Sequence, residues 1–298
     1  MTTFRVASVQ FELRKESTLE EYLSHTEVLV AEAVQHGAEL VVFPEFASSG
    51  LLATISDHEV TGKTIGDDYW QHLAPFSDAI AEATQDLAKK YGVWVMSGSH
   101  NRIADDGTLR NTAFLAHPDG RLETQDKMHL TPPEHDMGAR GGDDLLVTQI
   151  GPFTAGLLIC ADIQFPELSR YLMERGVELI VCPSLTWNRR GVHRVKTGSQ
   201  ARAIENQMYV VMSPLVGSSG FPLDAPMHAV GKSLVATPVD RTFGLNDGLL
   251  AASEEAGEMI LYADLDRELL LQSREKPEAP GLKLHRPDLY RKLREEPV

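Results

Sequence analysis

The sequence predicts an α/β fold in four layers, an αββα sandwich of two mixed sheets with helices outside, and three observations predict it. Strand-like and helix-like segments alternate along most of the 298 residues, an order that pairs strands in parallel through right-handed crossovers. Two segments echo each other: "GAELVVFPE" (37–45) and "GVELIVCPS" (176–184) match in residue type at nearly every position, each after a helix-like run. Two similar βαβ-containing halves would stack two sheets face to face. Glycine at a helix end followed by a β-branched run is also the generic junction, so the echo alone leaves that open. Finally, no Gly-, Pro- or Ser-rich linker divides the body, so 1–272 reads as one domain.

The elements follow in order. "FRVASVQF" (4–11) has the period of a half-buried strand, and 18–37 has helical spacing at Leu19, Leu23, Val30 and Val34, ending at Gly37. "AELVVFPE" (38–45) is a buried strand closed by Pro44. A second helix spans 69–92 with Pro75 near its start, then the strand "VWVMSGS" (93–99). Residues 111–127 read as a hairpin around a Pro-Asp-Gly turn. A strand at 153–160, a helix at 166–175, a strand at 177–184, a helix near 194–206 and a strand at 208–214 follow, with strands near 229–236 and 258–264. The stretch 273–298 carries four prolines and many charges. It reads as a C-terminal arm lying on the body or on a neighbouring subunit.

Composition removes several classes of function. A net charge of -15 without a Lys/Arg run opposes binding to a phosphate backbone, so no nucleic-acid partner is expected. The opening residues lack a basic flank and an apolar h-region, and no 18-residue apolar run occurs, so no membrane partner and a cytoplasmic location are expected. Cys160 and Cys182 are too few for a disulfide framework. No GxSxG elbow, GxGxxG, phosphate-binding GxxxxGK[ST] loop or HExxH is present, and the scattered histidines offer no zinc-ligand spacing, so neither cofactor nor metal is expected. His129 and His135 bracket a loop, where they suit hydrogen bonds better than a metal.

What remains is a set of reactive residues placed where apolar strands stop: Glu45 after "LVVFP", Lys127 after the hairpin, Cys160 after "GLLI". In open α/β sheets such strand ends line the ligand crevice. A carboxylate at a buried strand end is costly unless paired, and a lysine pairs it. Base, electrostatic clamp and nucleophile are then all present without a histidine. Each residue alone has a blander reading: a buried cysteine as core filler, a lysine as a solvated charge.

With these residues in view, the chain resembles the carbon-nitrogen hydrolases of the nitrilase superfamily. The likeness runs through "VQFEL", "ELVVFPEF", "DKMHLTPPE", "GLLICADIQFPELSRYL", "ARAIENQMYVV", "GKSLVATP" and "HRPDLY", in the family's order. It implies a Glu-Lys-Cys triad of Glu45, Lys127 and Cys160, with Glu134 as the second glutamate that orients the lysine and substrate. It also implies a cysteine thioester intermediate and pairing into homodimers or larger homo-oligomers. The backbone N–H of Ala161 is the natural second oxyanion donor. "CAD" resembles the amidase-like branches, which favours a small amide as substrate over a nitrile. N-carbamoyl amino acids would need a carboxylate partner, for which "TWNRRGVHR" offers Arg189 or Arg190. Trp187 and Phe46 sit beside these strand ends and would wall the pocket. The rival class, a non-catalytic binding protein on this fold, would need a broken triad.

Overall fold

The computed structural model describes residues 3–55, 60–218 and 228–295. The last three residues of the expected C-terminal arm lie outside them.

The chain opens with β1 (Phe4–Glu12) and α1 (Leu19–Gln35), where the Thr18 hydroxyl caps the helix by accepting from the Glu21 N–H. The buried face of α1 centres on Tyr22, Leu29, Val30 and Ala33, with Leu19, Leu23 and Val34 flanking it. β2 (Leu40–Val42) then lies parallel to β1. The expected helix over 69–92 is broken instead. A short α2 (Ile65–Asp68) widens into a π turn at Tyr69–Leu73, tightens through Ala74–Phe76, and only then becomes α3 (Ser77–Tyr91). Pro75 is the physical reason, since it has no N–H to donate and its ring crowds the preceding turn.

β3 (Trp94–Ile103), β4 (Leu109–Ala116) and β5 (Leu122–Asp126) follow, the last two forming the expected hairpin, and then a single-turn α4 (Pro132–Asp136). The second half runs β6 (Val147–Ile150), β7 (Phe153–Leu157), α5 (Pro166–Glu174), β8 (Leu179–Ser184), α6 (Arg189–Asn206) and β9 (Tyr209–Val216). α6 begins five residues before the expected start, because Asn188 caps it by accepting from the Gly191 N–H. β10 (Leu234–Ala236), β11 (Leu249–Ala252), β12 (Met259–Leu265), α7 (Arg267–Glu275) and α8 (Pro287–Glu295) complete the chain. α7 runs across position 272.

The strands form two mixed halves, ordered β12-β1-β2-β3-β4-β5 and β11-β10-β9-β8-β7-β6. β1, β2 and β3 are parallel, as are β7, β8 and β9, which matches the echo between the two βαβ segments. The halves join where the end of β1 pairs with β9, Phe11 opposite Leu215 and Glu12 opposite Val216.

Alternation along the strands sorts the core. Val6, Leu40, Val42 and Met96 share one buried cluster with Ala155, Leu157, Ile180 and Val210 of the second sheet. Their neighbours Ala7, Val41, Phe43 and Val95 instead pack with Tyr22, Val30, Ile80 and Ala88 of α1 and α3. Leu172, Val195 and Ala203 of α5 and α6 cover the second sheet. This is the four-layer αββα sandwich. Polar side chains stitch the sheets: the Ser8 hydroxyl donates to Met212 O at 2.7 Å, and the Gln125 amide on β5 donates to Leu157 O on β7 at 3.2 Å. The Gln125 bond draws the end of the β4–β5 hairpin to the strand that leads into Cys160. Among the described residues no helix is long and apolar enough to cross a membrane.

Candidate active site

Glu45, Lys127 and Cys160 each stand just beyond the end of a strand. β2 stops at Val42, and Phe43-Pro44 carries the chain to Glu45, which bridges Ser99 on β3. That approach depends on Gly98, whose φ is +84° and where a Cβ would fall 1.9 Å from Pro44 O. β5 stops at Asp126, and the Lys127 N–H extends the hairpin by donating to Asn111 O at 2.8 Å. β7 stops at Leu157, the Leu158 N–H bonds Val181 O, and Cys160 opens a 3-10 turn, Cys160–Gln164.

Both Phe46, at φ 54°, and Cys160, at φ 46°, adopt the left-handed conformation. A non-glycine residue held there costs about 1–3 kcal/mol and persists only where its surroundings over-determine it. Both of these turns face the same pocket.

The three strand ends meet with a fourth group. The Lys127 ammonium donates to Glu45 Oε1 and to Glu134 Oε2, each at 2.7 Å, and all three side chains are buried. Glu134 is the third residue of α4. The preceding Thr131 donates to its Oε2 with both its N–H (2.8 Å) and its hydroxyl (2.7 Å). "TPPE" is thus a helix start with prolines in the first turn and an acid at the third position. Glu45 Oε2 accepts from the Leu185 N–H at 3.0 Å. Asn111, in mid-strand on β4, donates to both acids, to Glu45 Oε1 at 3.0 Å and to Glu134 Oε1 at 2.8 Å.

Cys160 Sγ lies 3.2 Å from Leu185 O, to which the thiol donates, and accepts from the Ser184 hydroxyl at 3.5 Å. Cys182 is fully buried within β8; both cysteines are free thiols.

Electrostatics separate these groups. Burial drives the Glu45 carboxyl upward; Lys127 pulls it down and the Glu134 charge pushes it up, leaving it above its ordinary value of 4.5. Burial acts on Glu134 in the same sense, but Lys127, Asn111 and Thr131 outweigh it and hold that carboxyl low. Burial opposes the charge on Lys127, yet the two carboxylates keep it a firm ammonium. Burial and the nearby Glu45 raise the Cys160 thiol well above its usual value despite Lys127, so the resting group is a neutral thiol. A neutral thiol beside a carboxylate of raised basicity is an arrangement for proton transfer at the moment of attack.

These groups form the floor of a cavity of about 370 Å³. Phe46 and Tyr69, with ring centroids 5.4 Å apart, form one wall; Trp187, Met137 and Pro133 contribute others, and Ala161 lies beside the thiol. The structure therefore brings Glu45, Lys127, Glu134, Cys160, Ala161, Phe46 and Trp187 into one pocket. Arg189 does not belong to it. With α6 starting at Arg189, that side chain faces a separate groove with His193, Lys196 and Lys232, while Gly191, Arg194 and Val195 turn to the cavity. Arg194 has no hydrogen-bond or ion-pair partner among the described residues. Asn111 and Arg194 were missed by sequence reasoning. Among the described residues no group of three His, Cys, Asp or Glu side chains is arranged to hold a metal ion.

Comparison with known proteins places this architecture. The model of the carbon-nitrogen hydrolase family matches residues 5–275. A probable hydrolase, YhcX, of Bacillus subtilis is 32% identical over 96% of this chain, which spans about half (54%) of that protein's length. The mouse omega-amidase NIT2 is 30% identical, covering 97% of this chain and 98% of its own. In fold, the chain is similar to a carbon-nitrogen hydrolase from Helicobacter pylori G27 (TM-score 0.80, 21% identity, 99% of both chains). It is also similar to a double mutant of the amidase from Nesterenkonia sp. AN1 in complex with acrylamide (TM-score 0.75, 21% identity, 98% and 97% of the two chains). The chain belongs to the carbon-nitrogen hydrolase family, within the nitrilase superfamily, and is a hydrolase of carbon–nitrogen bonds.

Proposed function

We propose that this hydrolase cleaves a small linear amide to a carboxylate and ammonia through a thioester on Cys160. One observation carries the reading: a buried lysine bonded at 2.7 Å to each of two carboxylates, in the cavity that also holds a free thiol. Glu45 takes the thiol proton as Sγ attacks the amide carbon. An ammonium has three N–H donors, and two are committed to Glu45 and Glu134. The third, with the backbone N–H of Ala161, holds the oxyanion of the tetrahedral intermediate. Protonated Glu45 then returns its proton to the departing nitrogen, and ammonia leaves. In the second half Glu45 deprotonates a water that attacks the thioester, and the acid leaves as the thiol is restored.

Amidases and omega-amidases among the similar proteins support an amide over a nitrile. Arg194 refines the class. Among the described residues the cavity's other cation is Lys127, engaged by two carboxylates, and those two are its acidic residues. Arg194 is thus, among the described residues, its uncommitted charge, suited to an amide whose far end is itself a carboxylate.

The test is ammonia release from linear amides with and without a terminal carboxylate, N-carbamoyl amino acids and nitriles, with Cys160→Ala as blank. Carboxylate-bearing amides are expected to turn over best, and the blank to lose activity by at least about 10⁴-fold. A Cys160→Ala protein as active as the parent would sink the mechanism. Preference for nitriles or N-carbamoyl compounds would replace the substrate class.

A further inference from the structure

A third buried carboxylate lies close in sequence to the thiol, outside the Glu-Lys-Glu cluster and outside the cavity lining. Asp162 is wholly buried two residues beyond Cys160. Its Oδ2 accepts from the Ile159 N–H and from the Met128 N–H, each at 3.2 Å. Its Oδ1 accepts from the His129 N–H at 2.8 Å and lies 3.1 Å from His129 Nδ1. Ile159 precedes Cys160 and Met128 follows Lys127. A single oxygen therefore ties the backbone beside the thiol to the backbone beside the ammonium, two segments that come from opposite sheets.

We propose that Asp162 is a positioning residue that sets the separation of Cys160 and Lys127 by binding the backbone next to each. The proposal rests on the roles given above to those two residues. Three features support it. The 3-10 turn holding Cys160 at a positive φ is closed reciprocally, Asp162 N–H to Ile159 O at 3.0 Å and Ile159 N–H back to the carboxylate. The other bonded segment is braced as well, because the His129 ring stacks on Phe165 with centroids 3.6 Å apart and planes 8° off parallel. Burial raises the Asp162 carboxyl against the pull of the His129 N–H and Lys127, so the group is kept there at a cost that three converging backbone N–H groups offset. The chemistry also requires a carboxylate. Every group facing Asp162 in these bonds can donate, so an asparagine of the same shape would turn its NH2 toward two of them in either orientation.

The experiment uses the full-length chain with Asp162→Asn. Two readouts are compared with the parent: kcat and KM on the best amide, and the pH dependence of Cys160 alkylation by iodoacetamide. Lys127 is among the groups that lower the Cys160 thiol, so letting it drift moves the alkylation limb to higher pH. The expected result is that shift, with kcat lower by about a hundredfold, the scale of a 1 Å misplacement, and KM within about twofold. A residue that only stabilised the fold would leave the folded fraction with the parental limb and kcat; that outcome overturns the proposal. If Asp162→Asn yields no folded protein, Asp162→Glu, which keeps both acceptors but moves them by one methylene, takes its place. An upward shift there sustains the proposal and a parental limb overturns it. Should the parent release no ammonia from any amide, the amide reading fails while the alkylation profile still decides the role of Asp162.

Discussion

Two carboxylates share one ammonium in this pocket, one at the end of β2 and one in the first turn of α4, and they acquire opposite acidities. Both sit 2.7 Å from Lys127 Nζ and both bond Asn111. They differ in what else reaches them. Glu45 gains one further donor, the Leu185 N–H, while Glu134 gains two from Thr131. One lysine cannot neutralise two acids, so with both ionised these three buried groups hold an excess negative charge. Of the two, the carboxyl held above its ordinary value is Glu45 and the one held below is Glu134. The comparison teaches that contact with the lysine does not assign the roles. Burial, the neighbouring charge and the donors behind each carboxylate do so together: burial and the Glu134 charge prevail at Glu45, while Lys127, Asn111 and Thr131 outweigh burial at Glu134.

Breaking one side at a time tests this. The largest effect is expected from Glu45→Gln, which removes the proposed base and turns an amide NH2 toward a ring of donors. kcat should fall by about 10²–10⁴-fold, and retention of a tenth of parental activity would assign the base elsewhere. Glu134→Gln should cost less, on the order of tenfold, the lysine keeping one carboxylate. Its signature lies in the pH profile. In the parent, the acid limb of kcat/KM is expected above 4.5, because Glu45 must be ionised to act and its carboxyl is raised. The Glu134 charge is one cause of that rise, so the limb should move to lower pH in Glu134→Gln. A limb that stays put, or climbs, would break the proposed coupling.

The two acids also contribute to stability with opposite sign. Glu134, with its carboxyl held low, adds stability above the ordinary carboxylate range that disappears as pH falls through its own lowered value. Glu45, held high, disfavours the fold as pH rises through the ordinary range to its raised value. The smallest effect belongs to Thr131→Val, which deletes the hydroxyl donor and keeps the N–H. A loss of about 1 kcal/mol in unfolding free energy is expected, with kcat within about threefold.

Much of the site was legible because its residues stand where an apolar run stops. A carboxylate after "VVFP", a lysine after a hairpin and a cysteine after "GLLI" each interrupt a pattern. Glu134 carries its own local signature in "TPPE". Asn111 carries none: it sits inside β4, and the acids it shares with Lys127 lie 66 and 23 residues away. Arg194 was lost to a boundary. Placing the start of α6 near 194 instead of at the Asn188 cap hides that Arg194 and Gly191 share the cavity face while Arg189 points into another groove. The break at Pro75 has the same origin, for a proline near a helix start reads as permissive until tertiary packing fixes where the start is. Asp162 was visible as a residue type, but its N–H partners across the sheets belong to the fold and not to the string.

The joining of the two sheets at β1 and β9 has a consequence in time. On its other edge β1 pairs with β12, Phe4 opposite Leu265, so the first strand waits for one of the last. At about 5–20 residues per second of synthesis, that edge stays open for roughly 10–50 s. Until the halves dock through β1 and β9, Cys160, once made, lacks the partner sheet that carries Glu45 and Lys127 to it. The surroundings of Cys160 are complete only when the sandwich closes, so the change in its alkylation rate during refolding is a clock for the docking of the halves.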